Sequence, residues 1–279
     1  MKIGVSAFAW TTNLRTAHLK LLPMLREQGI EGFEVPMFDP ADLAALKPRS
    51  AFEASGMECT VCAILPAGVN PISDDSAERR RAQEHLRQCV AVAAEAGAKL
   101  IAGPVYAPIG YHINQRRTED EWQRAVESLQ TLGDALDEHA MTLAIEPVNR
   151  SESMFLNTGA EARALCEAVG HARVGVNVDT FHANIEEKSI PDSISLLGKR
   201  LKHIHASEND RGLVGSGHVD FPGMVAALRE IGYEGYLMIE GFGWSADESN
   251  TLGALYGDPE VSPEMIAFQG AKYLRRLLQ

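Results

Sequence analysis

The chain has 279 residues, of which 45% are hydrophobic and 23% are charged, and this balance excludes a disordered or fibrous protein. Acidic residues number 38 against 26 basic ones, so the formal net charge of −12 argues against a surface that binds nucleic acid. The chain contains no apolar run long enough to span a bilayer, and we expect a cytoplasmic protein with neither a membrane nor a nucleic acid as partner.

Short apolar runs typical of strands alternate with segments of helical periodicity, which predicts βα units and a parallel sheet. The strand-like runs cover residues 2–8, 32–37, 59–65, 99–106, 142–148, 174–180, 201–207 and 235–242. The clearest helical segments cover residues 76–97 and a stretch that opens with the capping box Thr118-x-x-Glu121. The last helix begins at Ser262, with Pro263 in the favoured first helical position.

The number and spacing of these elements predict a single (β/α)8 TIM barrel over residues 1–279, because no Pro/Ser-rich linker divides the chain. An open, doubly wound sheet is the alternative. No G-x-G-x-x-G follows a predicted strand, so dinucleotide binding has little support. Cys59 and Cys62 are spaced C-x-x-C, but residues three apart in a strand face opposite sides, and we expect buried thiols rather than a shared metal or disulfide.

Each of the last four predicted strands ends in a side chain that can bind a metal ion. These residues are Glu146, Asp179, His205 and Glu240. Alternation along the strands places all four toward the barrel lumen, at the carboxyl ends where barrel enzymes carry their active sites. A single strand-end carboxylate often caps the next helix, but three carboxylates and a histidine held together would repel without a cation. The pattern therefore predicts one divalent metal ion, with Mn²⁺, Mg²⁺ or Co²⁺ favoured by the oxygen-rich ligand set.

Four segments of the second half carry a family resemblance: EPVNRSE at 146–152, VDTFHANIEE at 178–187, HASENDR at 205–211 with GSG at 215–217, and IE at 239–240. In these segments the chain resembles the ketose 3-epimerases of the xylose isomerase-like superfamily, which act on D-tagatose, D-psicose (allulose) or L-ribulose. The resemblance covers nearly the whole chain in its order of elements and is strongest over residues 142–242.

The resemblance implies one divalent metal ion, with Mn²⁺ as the first expectation and Mg²⁺ or Co²⁺ as alternatives. The implied ligands are Glu146, Asp179, His205 and Glu240. The two glutamates of this set would also transfer protons. The implied contacts to the O1–O3 end of the sugar are Glu152, His182 and Arg211. Family members are usually dimers or tetramers, so the resemblance also implies a homodimer or homotetramer.

Physical chemistry supports the same reaction. A proton on the carbon beside a ketone is weakly acidic, and a metal ion that bridges the carbonyl and hydroxyl oxygens stabilises the resulting cis-enediolate. Epimerisation then requires a proton from the opposite face. Glu146 and Glu240 follow the outer two of four adjacent strands, so one can act as base and the other as acid. We expect a metal-dependent isomerase that inverts C3 of a free ketose.

Other functions use the same kind of site. An aldose–ketose isomerase, or a lyase, could act on a related sugar, including an oxidised one or a phosphorylated one held by the N–H groups of 215–217. An endonuclease of this superfold would need more histidine ligands and a basic groove. A non-catalytic sugar-binding protein would be expected to lack one of the paired glutamates, and this chain keeps both.

Three further polar residues have less specific interpretations. His203 is expected to be a buried, hydrogen-bonded lumen residue rather than a ligand. Glu34 ends the second strand on the lumen side, where a substrate contact and a structural role both stay open. Glu208 matches an acidic position of the family and is expected to support the site.

Overall fold

Eight parallel strands form a closed barrel in chain order, in a computed structural model that describes residues 1–111, 114–244 and 255–279. The strands are β1 (Lys2–Ser6), β2 (Gly32–Met37), β3 (Glu58–Ala63), β4 (Leu100–Gly103), β5 (Thr142–Ile145), β6 (Val174–Asp179), β7 (Leu201–Ala206) and β8 (Tyr236–Ile239). Each strand pairs with the next, and β8 pairs with β1. The closed barrel confirms the predicted fold and excludes the open doubly wound sheet.

Helices connect the strands and surround the barrel. They are α1 (Leu21–Glu27), α2 (Pro40–Leu46), α3 (Arg49–Ser55), α4 (Ser76–Glu95), α5 (Glu119–Gln130), α6 (Gly133–Glu138), α7 (Gly159–Val169), α8 (Thr180–Glu186), α9 (Ile190–Leu197), α10 (Phe221–Glu230) and α11 (Pro263–Leu278). Short 3-10 turns cover Ala7–Ala9, His18–Lys20 and Gly198–Arg200. Within the described ranges, none of these helices has the length and apolar character needed to cross a bilayer.

The predicted helix starts agree with the local hydrogen bonds. Both halves of the capping box at Thr118 and Glu121 are formed, and the Ser262 side chain accepts the N–H of Met265. The apolar stripe that begins in α5 continues into α6 after a break. At that break the Thr131 hydroxyl donates to the Ser128 carbonyl at 2.7 Å, which competes with the regular helical bond.

The strands end earlier than their apolar runs, and this difference determines where the polar side chains lie. Gly103, the last residue of β4, has a φ of +127°, and a Cβ there would lie 2.1 Å from the Ala63 carbonyl oxygen. Pro104 follows and has no N–H to donate to the sheet. Similarly, Glu146 and Glu240 are the first residues beyond β5 and β8. Both carboxylates therefore stand at the mouth of the barrel.

Candidate active site

A cavity of about 680 Å³ lies over the carboxyl ends of the strands. The charged and polar side chains that line it include Glu146, Glu152, His182, Arg211 and Glu240, with Thr12 as a further polar residue. Much of the remaining lining is apolar and includes Phe8, Phe38, Ile64, Pro66 and Phe242. The cavity thus has a polar, charged wall and an apolar wall.

The four predicted metal ligands are all buried and lie together at this end of the barrel. Asp179 and His205 are paired in register between β6 and β7. The Nδ1 atom of His205 lies 3.6 Å from Glu146 Oε1 and 3.4 Å from Glu240 Oε1. Glu146, Asp179 and His205 each offer a ligand atom within 4.8 Å of the others.

Asp179 has two roles that follow from its position between a strand and a helix. Its Oδ1 atom accepts the N–H of Phe181 at 2.6 Å and so caps α8. Its Oδ2 atom lies 3.1 Å from Arg211 Nη1, inside the cluster. Capping and participation in the cluster are therefore compatible in this one side chain.

The charges in the cluster are unbalanced toward the negative side. Burial lowers the pKa of His205, but the carboxylates of Glu34, Glu240 and Glu146 outweigh this effect and hold the pKa well above its usual range. Burial raises the pKa of Asp179, and the nearby Arg211 only partly opposes it. A buried group of carboxylates and one imidazole fits a divalent cation, because the cation would replace protons that the site otherwise retains.

Arg211 is the cation that the chain itself provides. Its Nη1 atom bonds to Glu240 as well as to Asp179, and its Nη2 atom lies 3.0 Å from His182 Nε2. The guanidinium stacks on Phe181, with its carbon 4.1 Å from the ring centroid. Burial lowers the pKa of Arg211, but the carboxylates of Asp179 and Glu240 outweigh this effect and raise the pKa above its usual value. The side chain therefore stays charged.

The other two predicted sugar contacts lie beside Arg211 on the polar wall. The His182 Nδ1 atom accepts the backbone N–H of Asn149 at 3.1 Å and lies 3.9 Å from Glu152 Oε1. Burial is the main cause that lowers the pKa of His182, to about 3, so the imidazole is neutral. Burial also raises the pKa of Glu152. All three predicted sugar contacts therefore line one cavity together with Glu146 and Glu240.

Glu34 and His203 lie below this wall, inside the barrel. Both side chains are fully buried, and Glu34 Oε2 lies 3.0 Å from His203 Nε2. Glu34 Oε1 lies 2.9 Å from His205 Nε2. Burial raises the pKa of Glu34, but the two histidines lower it below its usual range, so the carboxylate is ionised. His203 is buried and hydrogen-bonded as expected, and the complete burial of Glu34 favours its structural interpretation over a substrate contact.

Sequence reasoning did not place two residues at the site. Asn149, within the first family segment, donates to both His182 and Glu152. Cys62 lines the cavity and lies near Glu34, His205 and Glu240, whereas its C-x-x-C spacing predicts only a buried thiol. Strand alternation in β3 was the signal that could have located it. Burial, and then Glu34, raise the pKa of the Cys62 thiol well above its usual range, so this side chain is a neutral thiol.

All four cysteines are buried and unpaired in the structure. For the C-x-x-C pair, this agrees with the prediction of buried thiols rather than a disulfide. Glu208, also fully buried, accepts the N–H groups of Gly215 and Val219 at 3.0 Å each. These bonds close the loop that carries Arg211, which is the supporting position expected for Glu208.

Known proteins are similar to this chain in both sequence and fold. The chain matches the xylose isomerase-like TIM barrel family over residues 22–277. It is 32% identical to an L-ribulose 3-epimerase of Mesorhizobium japonicum over 86% of this chain and 81% of the relative, and 30% identical to a ketose 3-epimerase of Arthrobacter globiformis over 91% and 89%. A D-allulose 3-epimerase structure from Methylomonas sp. matches with a TM-score of 0.91 and 26% identity, over 99% of this chain and 98% of that chain. The chain therefore belongs to the xylose isomerase-like TIM barrel family, within its ketose 3-epimerases, and is an enzyme of the isomerase class.

Proposed function

We propose that this enzyme is a divalent-metal-dependent ketose 3-epimerase that inverts C3 of a free keto-sugar. The observation that carries the proposal is the pair Glu146 and Glu240, which line one cavity and both approach the Nδ1 atom of His205, at 3.6 and 3.4 Å. Inversion at carbon needs a proton removed on one face and returned on the other. Two carboxylates from the outer two of four adjacent strands suit this requirement.

The two glutamates would exchange roles with the direction of the reaction. One carboxylate removes the C3 proton, and the other, in its acid form, gives a proton to the opposite face of C3. The starting epimer decides which of Glu146 and Glu240 acts as the base. An aldose–ketose isomerase moves a proton on one face and needs only one such group, so the pair favours epimerisation.

The donor set would hold one divalent ion. Its ligands would be Glu146, Asp179, His205 and Glu240. When bound, the ion would supply positive charge that stabilises the negative charge developing on the sugar oxygens as the C3 proton leaves. We propose Mn²⁺, with Mg²⁺ and Co²⁺ as alternatives, because oxygen ligands dominate and Cys62 is a neutral thiol.

The polar wall would bind and orient the O1–O3 end of the sugar. Arg211 offers charged donors that match sugar oxygens, and its stacking on Phe181 limits its movement. His182 is neutral and its Nδ1 atom accepts the Asn149 N–H, so its Nε2–H would donate to a sugar oxygen. Glu152 receives a hydrogen bond from Asn149 at 3.0 Å, which holds its carboxylate toward the cavity. These contacts would fix C3 between the two catalytic glutamates.

The charges around the cavity favour a free sugar over a phosphorylated one. Among the described residues that line it, Arg211 is the one with a positive charge, and it already pairs with Asp179 and Glu240. The N–H of Gly215, which could have helped to bind a phosphate, donates to Glu208 instead. The apolar wall would contact the far end of the sugar without polar discrimination. We therefore expect broad acceptance of ketoses that differ at C4 to C6.

The proposal is tested by proton exchange at C3. The Mn²⁺-loaded protein is incubated in D₂O with D-fructose, D-psicose, D-tagatose and L-ribulose, and the sugars are analysed by NMR after protein and metal are removed. We expect deuterium at C3 together with the C3 epimer, and loss of both with EDTA. Exchange at C1 or C2 with aldose formation would instead identify an isomerase, and no exchange with any free sugar would refute the proposal.

A further inference from the structure

We propose that Glu34 is a positioning residue for the metal site: across the barrel lumen, its Oε1 atom forms an ion-pair contact with Nε2 of His205 and so presents Nδ1 to the carboxylates. The inference rests on the proposed function only through the identity of the metal site. Glu34 lies on β2 and His205 on β7, 171 positions apart in the numbering and on strands that do not pair with each other. Their contact at 2.9 Å therefore spans the interior of the barrel.

The two nitrogens of the His205 ring face different partners. Nε2 faces Glu34 Oε1, whereas Nδ1 faces Glu146 and Glu240. Nδ1 also lies 3.2 Å from Nδ2 of the Asn177 side chain. A neutral imidazole carries one proton, and a ring nitrogen that binds a metal carries none. A carboxylate at Nε2 keeps the proton there and leaves Nδ1 free to act as a ligand.

Two neighbours determine which oxygen of Glu34 is available to His205. His203 Nε2 lies 3.0 Å from Glu34 Oε2, and the Thr60 hydroxyl donates to the same oxygen at 3.2 Å. Glu34 and Thr60 are paired in register between β2 and β3, so the hydroxyl approaches from the adjacent strand. Two donors thus occupy Oε2, and Oε1 is left for His205. All four side chains are buried, so water does not compete readily for these contacts.

This arrangement predicts the effect of an amide at position 34. Glutamine has one acceptor and one donor end, whereas a carboxylate accepts at both ends. In Glu34→Gln only one end of the side chain still accepts, and it is uncharged. His205 Nε2 therefore loses its carboxylate partner whichever way the amide turns. The ring is then held less firmly with Nδ1 toward the carboxylates.

The experiment measures metal binding and the His205 Nε2–H signal, without substrate. The dissociation constant for Mn²⁺ is obtained by EPR of the free ion, for wild type and Glu34→Gln. The Nε2–H proton is observed in ¹H–¹⁵N spectra of the Mg²⁺-saturated proteins, with the His205 signals identified by comparison with His205→Asn. We expect Mn²⁺ binding to weaken by about 10- to 100-fold in Glu34→Gln, and the Nε2–H signal to shift upfield because its carboxylate partner is lost.

Glu121→Gln is the matched control, because it makes the same change at a buried glutamate in the capping box of α5. It should bind Mn²⁺ as the wild type does and keep the wild-type His205 Nε2–H signal. Glu34→Asp is the second variant and applies even if Glu34→Gln does not fold. It retains the charge but shortens the side chain, so a positioning role predicts weaker Mn²⁺ binding, whereas charge compensation alone predicts no change.

Unchanged Mn²⁺ affinity in Glu34→Gln or Glu34→Asp, or an unchanged His205 Nε2–H signal in Glu34→Gln, would overturn the inference. Failure of the wild type to bind Mn²⁺ would overturn both the inference and the metal dependence of the proposed function. Wild-type binding that Glu34→Gln loses would support the inference even if no C3 exchange is found with any ketose. The two proposals can therefore fail separately.

Discussion

The Nη1 atom of Arg211 lies 3.1 Å from Asp179 Oδ2, so the chain's own guanidinium sits among the carboxylates proposed to bind the metal ion. The same nitrogen bonds to Glu240. One side chain thus belongs both to the acidic cluster and to the wall proposed to bind sugar. Because Arg211 and a divalent ion would neutralise the same carboxylates, the stability of the protein should depend on both.

Replacing Arg211 by methionine should destabilise the protein most strongly when divalent ions are chelated. The variant leaves two buried carboxylates without their cation, and breaking a buried ion pair costs about 3–5 kcal/mol. In calorimetry, Arg211→Met should unfold at a lower temperature than the wild type in EDTA. Added Mn²⁺ should raise the Tm of Arg211→Met by more than it raises the Tm of the wild type. Arg49→Met, which breaks the exposed pair with Glu53, serves as control and should change little. Equal Tm values for Arg211→Met and the wild type in EDTA would contradict this prediction.

Replacing either catalytic glutamate by glutamine should stop epimerisation but leave exchange of the C3 proton with solvent in one of the two epimers. Loss of a general acid or base typically lowers the rate by about 10²–10⁴-fold. In Glu146→Gln and in Glu240→Gln, the remaining carboxylate still reaches one face of C3. Each variant should therefore exchange the C3 proton of only one epimer, and the two variants should differ in which one.

The comparison uses D-fructose and D-psicose as the pair of C3 epimers, with deuterium uptake measured by NMR. Circular dichroism checks that both variants are folded. Glu152→Gln is the control, since it should mainly raise KM while both epimers still exchange. Wild-type turnover in Glu146→Gln or Glu240→Gln would rule out the two-base mechanism.

Glu208→Gln should weaken substrate binding through the loop that carries Arg211. The Glu208 carboxylate accepts backbone N–H groups of Asn209, Gly215 and Val219, each at 3.0 Å, and glutamine has only one acceptor end. Leaving a buried donor unsatisfied costs about 1–3 kcal/mol. We expect a higher KM, measured by steady-state kinetics, and lower stability in urea. Asp210→Asn, an exposed change in the same loop, should leave both values near wild type, and an unchanged KM in Glu208→Gln would count against this role.

Glu161 should contribute stability that is lost in acid. Burial raises the pKa of Glu161, but the N–H groups of Asn157 and Thr158 and the Arg117 guanidinium lower it below its ordinary value of 4.5. A lowered folded-state pKa means that the contribution is present above pH 4.5 and disappears as the pH falls through the folded-state pKa.

The variant Glu161→Gln should therefore lose about 1 kcal/mol of unfolding free energy at pH 7. Its deficit relative to the wild type should shrink as the pH falls below 4.5. Urea unfolding at a series of pH values measures both quantities. Glu167→Gln on the same helix removes an exposed partner of Arg163 and should show a smaller deficit. A deficit for Glu161→Gln that is constant with pH would contradict the assignment.

Much of the barrel and the proposed ligand set follows from local sequence patterns. A strand directs alternate residues to opposite faces, so apolar neighbours such as Val178 and Ile204 indicate the face toward the helices, and Asp179 and His205 fall on the face toward the lumen. The strand ends were less predictable. The predicted strand-like runs continue past Gly103 and Ile145, where the structure has a positive φ at Gly103 and prolines at positions 104 and 147.

Local sequence patterns are enough to predict the order of strands and helices, the helix caps, and the carboxylates and histidine at the strand ends, because each depends on residues within one or two turns of each other. The contacts that cross the barrel depend on the tertiary structure. Whether Glu34 on β2 meets His205 on β7, and whether Arg211 turns back to Asp179, depends on barrel closure and on a loop held by Glu208. Such distances between side chains far apart in the chain have no counterpart in local periodicity.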